Sequence, residues 1–253
     1  VFDGVVKSWP DQVTMLDNAK ESDPVDNSMF WGFVNNNLPM VKKLEERKHK
    51  FWFTDTPYFG RFDNNNLKPD NHYWRICRNG IHAEYIKMCK SDRFDKFKIK
   101  IKAPDFKGSY VLVCPSSPSI HQYLGKPNWT ADTVEQIKRY TDRPIKIREK
   151  PRGRGTSGPS EAKVPLSEDL KDAWVVVTSC SIAAVEAQCM GVPVICDEKS
   201  FAKEVGGQEL ADIENPYFVG CEDWLFSLAY QQFTPEEIAN GKAVEILMDK
   251  GLL

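Results

Sequence analysis

The chain has 253 residues, of which 41% are hydrophobic and 28% charged, the usage of an ordinary globular protein with one large or two small domains. A formal net charge of −2 gives no global argument for nucleic-acid binding. No apolar run is long enough to span a bilayer and no secretory signal opens the chain, so we expect no membrane partner. The seven scattered cysteines form no CxxC pair and predict a reduced, cytoplasmic protein without a zinc site.

The N-terminal half alternates short apolar runs with segments of helical spacing. Strands are predicted at 30–34, 51–54 and 72–77, and helices at about 38–48 and 81–90. These elements predict an α/β domain.

The C-terminal half has the clearer pattern, in which strands that are apolar throughout alternate with helices. Strands are predicted at 110–114, 144–148, 173–178 and 192–196, and helices at 130–140, 167–170 and 181–190. Because strands of this kind are buried on both faces, the pattern predicts a parallel sheet with helices on each side.

Two sequence signals divide the chain. Pro104 and Gly108 bracket a charged stretch, so residues 1–107 are predicted to form one domain and residues 108–233 a second. Thr234 and Glu237 have capping-box spacing with Pro235 at the first helical position, which predicts a terminal helix to about residue 250. We expect this last segment, 234–253, to pack across the two domains.

A turn rich in hydroxyl side chains follows the strand predicted at 173–178. Thr178, Ser179 and Ser181 stand where a helix begins, and unpaired N–H groups there attract phosphate. Glu186 follows one to two turns later and could accept hydrogen bonds from a ribose diol. The alternative is that Ser181 only caps the helix and that Glu186 faces solvent and pairs with a lysine.

This turn, its helix with Glu186 and the following GxPV resemble the donor-binding half of GT-B glycosyltransferases. The chain more specifically resembles a small family of glycosyltransferase-like proteins of bacteriophages and some bacteria. Segments that carry this resemblance are 31–32, 54–61, 73–76 with Asn79, 143–151 and 166–170. One departure is Pro57, where the family more often has glycine.

The resemblance implies a GT-B fold, with two Rossmann-like lobes, a cleft between them and a C-terminal helix that crosses back. It implies a donor pocket in the second lobe. Arg148 and Lys150 leave a predicted strand at the edge where doubly wound sheets bind ligands, and they could hold a diphosphate or form a solvated charged edge. The predicted donor site consists of Ser116, Ser117, Arg148, Lys150, Thr178, Ser179, Ser181 and Glu186.

An inverting transfer needs a base for the acceptor hydroxyl. Asp55 ends a predicted strand and is the first candidate, followed by His82 and Asp63. A carboxylate at a strand end can equally cap a turn. The residues Tyr58, Arg75 and Asn79 could shape the acceptor pocket or support Asp55. No DxD motif stands at a strand end, so we expect neither a metal nor a cofactor besides the nucleotide-sugar co-substrate.

Two basic stretches bear on the acceptor. Lysines alternate with apolar residues over 96–102, which indicates either a lysine-protected edge strand or contact with DNA phosphates. A Gly-rich loop follows the strand predicted at 144–148. The candidate contacts to double-stranded DNA are Lys98, Lys100, Lys102, Arg152 and Arg154.

These features predict transfer of a sugar from a nucleoside diphosphate, with UDP favoured, to a 5-hydroxymethyl pyrimidine such as hydroxymethyluracil in phage DNA. A surface glycan is the alternative acceptor. Two other functions stay open at this point: a sugar-nucleotide epimerase or hydrolase of the same fold, and a non-catalytic DNA-binding or virion protein.

Overall fold

A computed structural model describes residues 8–9, 27–33, 37–60, 73–149 and 164–253. The chain divides into two compact units. The first unit combines Val1–Lys98 with Asp223–Leu253, and the second unit is Ile99–Glu222. In the described ranges, no helix has the length and apolar character needed to cross a membrane.

The first unit contains a four-stranded mixed sheet. Its strands, numbered along the whole chain, are β1 (Ser28–Trp31), β2 (Phe51–Asp55), β3 (Trp74–Arg78) and β8 (Gln232–Phe233), in the spatial order β1-β2-β3-β8. Only β1 and β2 are parallel, whereas β3 runs antiparallel to both β2 and β8. The sheet therefore differs from the parallel, Rossmann-like sheet expected for this half. The antiparallel register places Asp55 opposite Arg75, and the two side chains form a cross-strand ion pair.

The described helices of the first unit are short. They are α1 (Asn37–Glu46), α2 (Asp92–Asp95), α7 (Glu222–Ala229), α8 (Pro235–Ala239) and α9 (Lys242–Asp249). The capping box predicted at Thr234 is present, with both reciprocal hydrogen bonds. The single terminal helix predicted to residue 250 is instead two helices, because Gly241 takes a φ of 83° that ends the right-handed turn.

The helix predicted at 81–90 and the edge-strand interpretation of 96–102 are both wrong. Segment 81–90 is not a helix, because side chains from elsewhere bond its backbone: Tyr58 accepts from the Ala83 N–H at 2.8 Å and Ser227 accepts from the Ile86 N–H at 2.8 Å. Segment 96–102 is not an edge strand either. Lys98 there has a φ of 52°, which an extended strand cannot contain.

Arg93 is the buried charge that joins the separate parts of the first unit. Its guanidinium donates to the carbonyls of Ala229 at 3.0 Å and Gln232 at 2.8 Å. It also donates to both oxygens of Glu237, at 2.8 and 3.0 Å. Burial alone would raise the pKa of Glu237, but the hydrogen bonds from Arg93 and from the Thr234 N–H hold it below its usual value.

The second unit contains the predicted parallel sheet. Its strands are β4 (Tyr110–Val113), β5 (Ile145–Ile147), β6 (Ala173–Thr178) and β7 (Val194–Cys196), in the order β5-β4-β6-β7. Every neighbouring pair is parallel. The helices are α3 (Pro118–Tyr123), α4 (Trp129–Ile137), α5 (Leu166–Leu170) and α6 (Ala183–Cys189), with 3₁₀ turns at Phe201–Glu204 and Leu210–Asp212. The α/β class expected from the sequence is thus confirmed.

Close backbone approach fixes the packing around this sheet. A Cβ on Gly108 would lie 2.2 Å from the carbonyl carbon of Ala173, so only glycine allows the chain to enter β4 beside the start of β6. Gly191, which ends α6, has a φ of 75°, and its Cβ would lie 2.5 Å from the Ala103 carbonyl oxygen. Both positions combine a sequence signal for a turn with a steric requirement.

We expect Gly191→Ala to destabilise the protein more than Gly125→Ala. Gly125 has a similar φ of 73°, but its Cβ would meet no atom of the described residues within 4 Å. The control substitution therefore measures the cost of a left-handed alanine, about 1–2 kcal/mol. The clash with Ala103 should add about 1–3 kcal/mol for Gly191→Ala. Urea unfolding monitored by circular dichroism measures both, and equal losses would contradict the role of the close approach.

Candidate functional site

The chain changes direction across the sheet between β4 and β6. From β4 it moves outward to β5, then returns to the other side of β4 to form β6 and β7. The loops that follow β4 and β6 leave the same carboxyl edge in opposite directions, and ligands of open parallel sheets bind at such a switch point. Ser116 and Ser117 lie in the first loop, and Ser179 and Ser181 in the second.

Hydroxyl groups join these two loops. Thr178 Oγ1 donates to the Cys114 carbonyl oxygen at 2.7 Å, and Ser179 Oγ lies 2.8 Å from Ser116 Oγ. The Cys180 N–H also donates to Ser116 Oγ, at 3.1 Å. The hydroxyl-rich turn predicted as a ligand cradle is therefore already tied to the end of β4.

Two of the predicted hydroxyl residues also serve as caps. Thr178 Oγ1 accepts from the Ser181 N–H at 3.1 Å, and Ser181 Oγ accepts from the Ala183 N–H at 3.3 Å. The helix α6 consequently begins at Ala183 rather than at residue 181. These N–H groups are therefore bonded internally, and Ser116 and Ser117 lie nearer the surface than the fully buried Ser179.

A buried histidine that the sequence analysis did not single out contacts this cluster. His121 Nε2 lies 3.1 Å from Ser179 Oγ, and the imidazole packs 5.3 Å from the Trp129 ring at an interplanar angle of 30°. Trp129 in turn donates its indole N–H to Asp197 at 2.9 Å. Burial lowers the pKa of His121 below its usual value, and the Asp197 carboxylate offsets only part of that lowering. One sequence signal could have pointed to His121: Pro118 predicts the start of a helix directly after the Ser116–Ser117 loop, and His121 lies on the first turn of that helix, α3.

Arg148 lies where predicted, beside the end of β4, but its guanidinium is engaged within the chain. Its backbone N–H donates to the Val113 carbonyl at 2.8 Å, and its guanidinium pairs with the buried carboxylate of Asp169 and donates to the Val164 carbonyl at 2.8 Å. Lys146 forms a second ion pair with Asp169. Burial would raise the pKa of Asp169, but the hydrogen bonds from Lys146 and Arg148 hold it below its usual value.

Glu186 is half-buried on the first turns of α6. Its charge acts on Cys114, whose pKa burial raises to about 12. The guanidinium of Arg148 opposes that rise, and the carboxylates of Asp169 and Glu186 add to it. The charges of Arg148, Asp169 and Glu186 therefore all act on the end of β4.

In the first unit, the predicted base and most of its predicted neighbours lie together. Asp55 Oδ2 pairs with Arg75 Nη2 at 2.9 Å, and Asp55 Oδ1 accepts from the Thr56 N–H at 2.7 Å. Arg75 is 2% exposed and its guanidinium lies 5.6 Å from the Tyr58 ring centroid. Tyr58 Oη lies 3.2 Å from His82 Nδ1. Burial raises the pKa of Tyr58 well above its usual value, so the phenol stays protonated.

The composition of this cluster differs from the prediction at two residues, Asn79 and Gln232. Asn79 lies at the other end of β2, where its side chain accepts from the Phe51 N–H at 3.0 Å, so it is not brought to Asp55. Gln232, which the sequence analysis did not single out, accepts from the N–H groups of Tyr58 at 2.9 Å and Phe59 at 3.1 Å. Its contacts span 174 residues, and no local pattern signals them.

The described lysines of the basic stretch are exposed. Lys98 belongs to the first unit, and Lys100 and Lys102 belong to the second. The remaining predicted site residues, Asp63, Lys150, Arg152 and Arg154, lie outside the described residues. Over the described ranges, no three His, Cys, Asp or Glu side chains group as metal ligands.

No protein-family model matches the chain, and no curated protein matches it. Two solved structures of Thermosulfurimonas dismutans KpsC are similar to it. The β-Kdo 2,4-transferase is 10% identical with a TM-score of 0.48, over 87% of this chain and 86% of that chain. The β-Kdo 2,7-transferase is 11% identical with a TM-score of 0.44, over 86% of this chain and 84% of that chain. Both TM-scores are below 0.5.

We expect Asp169→Asn to destabilise the protein by about 3–5 kcal/mol, because it leaves the buried Arg148 guanidinium without its carboxylate. The lowered pKa of Asp169 adds a pH signature. Its ion pairs stabilise the fold above the unfolded pKa of 3.8, and that stabilisation is lost as pH falls through the lower folded pKa.

Urea unfolding between about pH 7 and pH 2.5 measures both effects. Glu168→Gln is the matched control, since Glu168 pairs with Lys171 on the exposed face of α5 and should contribute at most about 1 kcal/mol. The ion-pair role of Asp169 would be contradicted if Asp169→Asn lost no more free energy of unfolding than this control. It would also be contradicted if the variant lost stability in acid as steeply as the wild type.

Proposed function

We propose that the second unit binds a nucleoside-diphosphate sugar at the switch point and that the protein is a glycosyltransferase. The observation that carries this proposal is the coincidence of the switch point with the hydroxyl cluster of Ser116 and Ser179. Open parallel sheets bind nucleotides at this position, and hydroxyl groups there supply donors for phosphate oxygens.

The charges around the cluster fit the two polar parts of such a donor. A diphosphate requires cations and hydrogen-bond donors, which Arg148 and the serine hydroxyls can supply. A ribose offers two hydroxyl donors, and the half-buried carboxylate of Glu186 is the matching acceptor. Lys150 remains a proposed partner of the diphosphate on the strength of the sequence alone.

The donor is tested by a thermal-shift panel of UDP-, GDP- and ADP-sugars. We expect a UDP-sugar at a hundred times its Kd to add about 2.7 kcal/mol of stability. Glu186→Ala should weaken donor binding roughly tenfold to a hundredfold, because a hydrogen bond to a charged group contributes about 1.5–3 kcal/mol. Glu135→Ala, on the exposed face of α4 in the same unit, should bind donor as the wild type does.

Each other outcome of this panel has a distinct meaning. The absence of a shift with every sugar nucleotide at millimolar concentration would favour a non-catalytic protein. Loss of folding in Glu186→Ala would make that carboxylate structural. Conversion of the bound sugar nucleotide without any acceptor would indicate an epimerase or hydrolase.

For the acceptor, we propose a 5-hydroxymethyl pyrimidine in DNA. Support comes from the exposed side chains of Lys98, Lys100 and Lys102, which could contact phosphates. The proposed base is Asp55, with His82 as the second candidate. The Asp55 side chain is 31% exposed and is oriented by its ion pair with Arg75.

Mass analysis of DNA tests this proposal directly. DNA with hydroxymethyl bases should gain the mass of one sugar per modified base when incubated with the protein and a UDP-sugar, and unmodified DNA should not. The reaction should invert the anomeric configuration and should persist in the presence of a chelator. Transfer to a surface glycan, with none to either DNA, would replace the proposed acceptor.

In the same assay, Asp55→Asn should lower kcat by a factor of about 10²–10⁴ and leave donor affinity within about twofold, because a general base acts on the acceptor. Asp95→Asn removes an exposed carboxylate that bonds Ser91 in the same unit and serves as the control. Unfolding midpoints separate chemistry from stability, since Asp55→Asn also breaks the pair with Arg75. Unchanged turnover would remove Asp55 from this role.

A further inference from the structure

The hydroxyl cluster at the switch point continues inward to His121. The three side chains form a row in which His121 Nε2 is 3.1 Å from Ser179 Oγ, and Ser179 Oγ is 2.8 Å from Ser116 Oγ. All three are buried, with exposed fractions of 5% for His121, 0% for Ser179 and 7% for Ser116. The Cys180 N–H also donates to Ser116 Oγ, so one lone pair of this hydroxyl is already used.

Hydroxyl groups in a row can orient their hydrogens in two directions, and the histidine selects between them. When Nε2 carries a proton, it donates to Ser179, Ser179 donates to Ser116, and the Ser116 hydrogen points outward. When Nε2 is bare, it accepts from Ser179 and the row reverses, so that Ser116 presents a lone pair. The first direction suits an anionic oxygen, and the second suits a hydroxyl or amide donor.

We propose that His121 is a positioning residue which, by donating its Nε2 proton to Ser179, turns the Ser116 hydroxyl toward an anionic oxygen of the ligand. This inference rests on the proposed function in one respect, namely that a phosphate group occupies the switch point. It assigns His121 no contact with the ligand, since its effect passes through Ser179 and Ser116.

The surroundings of His121 make this direction dependent on pH. The charged group that acts on the imidazole is Asp197, which also binds Lys126 and the Trp129 indole. Burial lowers the pKa of His121 from 6.5, so the ring is neutral at pH 7.5 and both directions are available. Protonation fixes the outward direction. Affinity for an oxyanion should therefore rise as pH falls through the His121 pKa.

Sulfate and UDP-glucose are suitable ligands for measuring this pH dependence of affinity, because their own charge does not change between about pH 5 and pH 8. Calorimetric titration should show that wild-type affinity for each rises about five- to tenfold as pH falls from 7.5 through the His121 pKa. His121→Gln keeps a neutral donor, so it should bind within about twofold of wild type at pH 7.5 without the gain in acid. His121→Phe and Ser179→Ala should lose about tenfold throughout this pH range.

His49→Gln is the control for replacing a histidine elsewhere, because His49 is exposed in the first unit. It should retain the pH dependence of the wild type. Unfolding curves accompany each variant, and if His121→Phe does not fold, His121→Gln and Ser179→Ala decide the question.

The inference and the proposed function fail in different ways. Sulfate binding that follows this pattern without UDP-glucose binding would retain the role of His121 and reject the sugar nucleotide. UDP-glucose binding that is independent of pH and unchanged in His121→Phe or Ser179→Ala would reject the role of His121 alone. A pH dependence that persists in His121→Gln would also reject it, and binding of neither ligand would reject both.

Discussion

The pairing of β4 with β6 determines the geometry of the second unit. The strands are distant in sequence, yet Val111, Leu112 and Val113 lie beside Val175, Val176 and Val177, with all six side chains buried. Because β4 and β6 are buried on both faces, their side chains pack against neighbours above and below the sheet. Because the pair is parallel, the strand ends coincide, and Thr178 reaches the Cys114 carbonyl. The hydroxyl cluster is thus a consequence of how the apolar core packs.

The first unit is held together differently, by buried polar side chains that act over long sequence separations. Arg93 binds the carbonyl of Ala229 before β8, the carbonyl of Gln232 within β8 and the carboxylate of Glu237 in the capping box of α8. The side chain of Gln232 bonds the backbone of the loop after β2. Burying a guanidinium is costly unless its donors are satisfied, and Arg93 has two carbonyls and a carboxylate. Such networks specify one arrangement of chain segments that local propensity does not favour.

The contrast between local apolar patterns and long-range polar contacts explains which elements could be predicted from the sequence. A short apolar run identified β4, a run rich in β-branched residues identified β6, and capping-box spacing identified the start of α8, since these signals are local. The helix predicted at 81–90 was wrong because Tyr58 and Ser227 bond that backbone from distant positions. The contacts of His121 and Gln232 were not predictable for the same reason. Asp55 was predicted from its place at the end of a strand, whereas its contact with Arg75 depends on the register of β2 with β3, which no local signal gives.

The hydroxyl cluster also shows how one group of residues can stabilise a fold and still recognise a ligand. Ser116 and Ser179 bond each other, and Thr178 donates to the Cys114 carbonyl, so each of these three buried hydroxyls has a partner within the chain. A ligand at this edge need only reorient hydroxyl hydrogens, which move without displacing heavy atoms. Discrimination then depends on the direction of the hydrogen-bond row, and the one titratable group in that row is His121. A buried histidine at the inner end of the row is therefore more than a packing residue, because its proton determines whether the outer end donates or accepts.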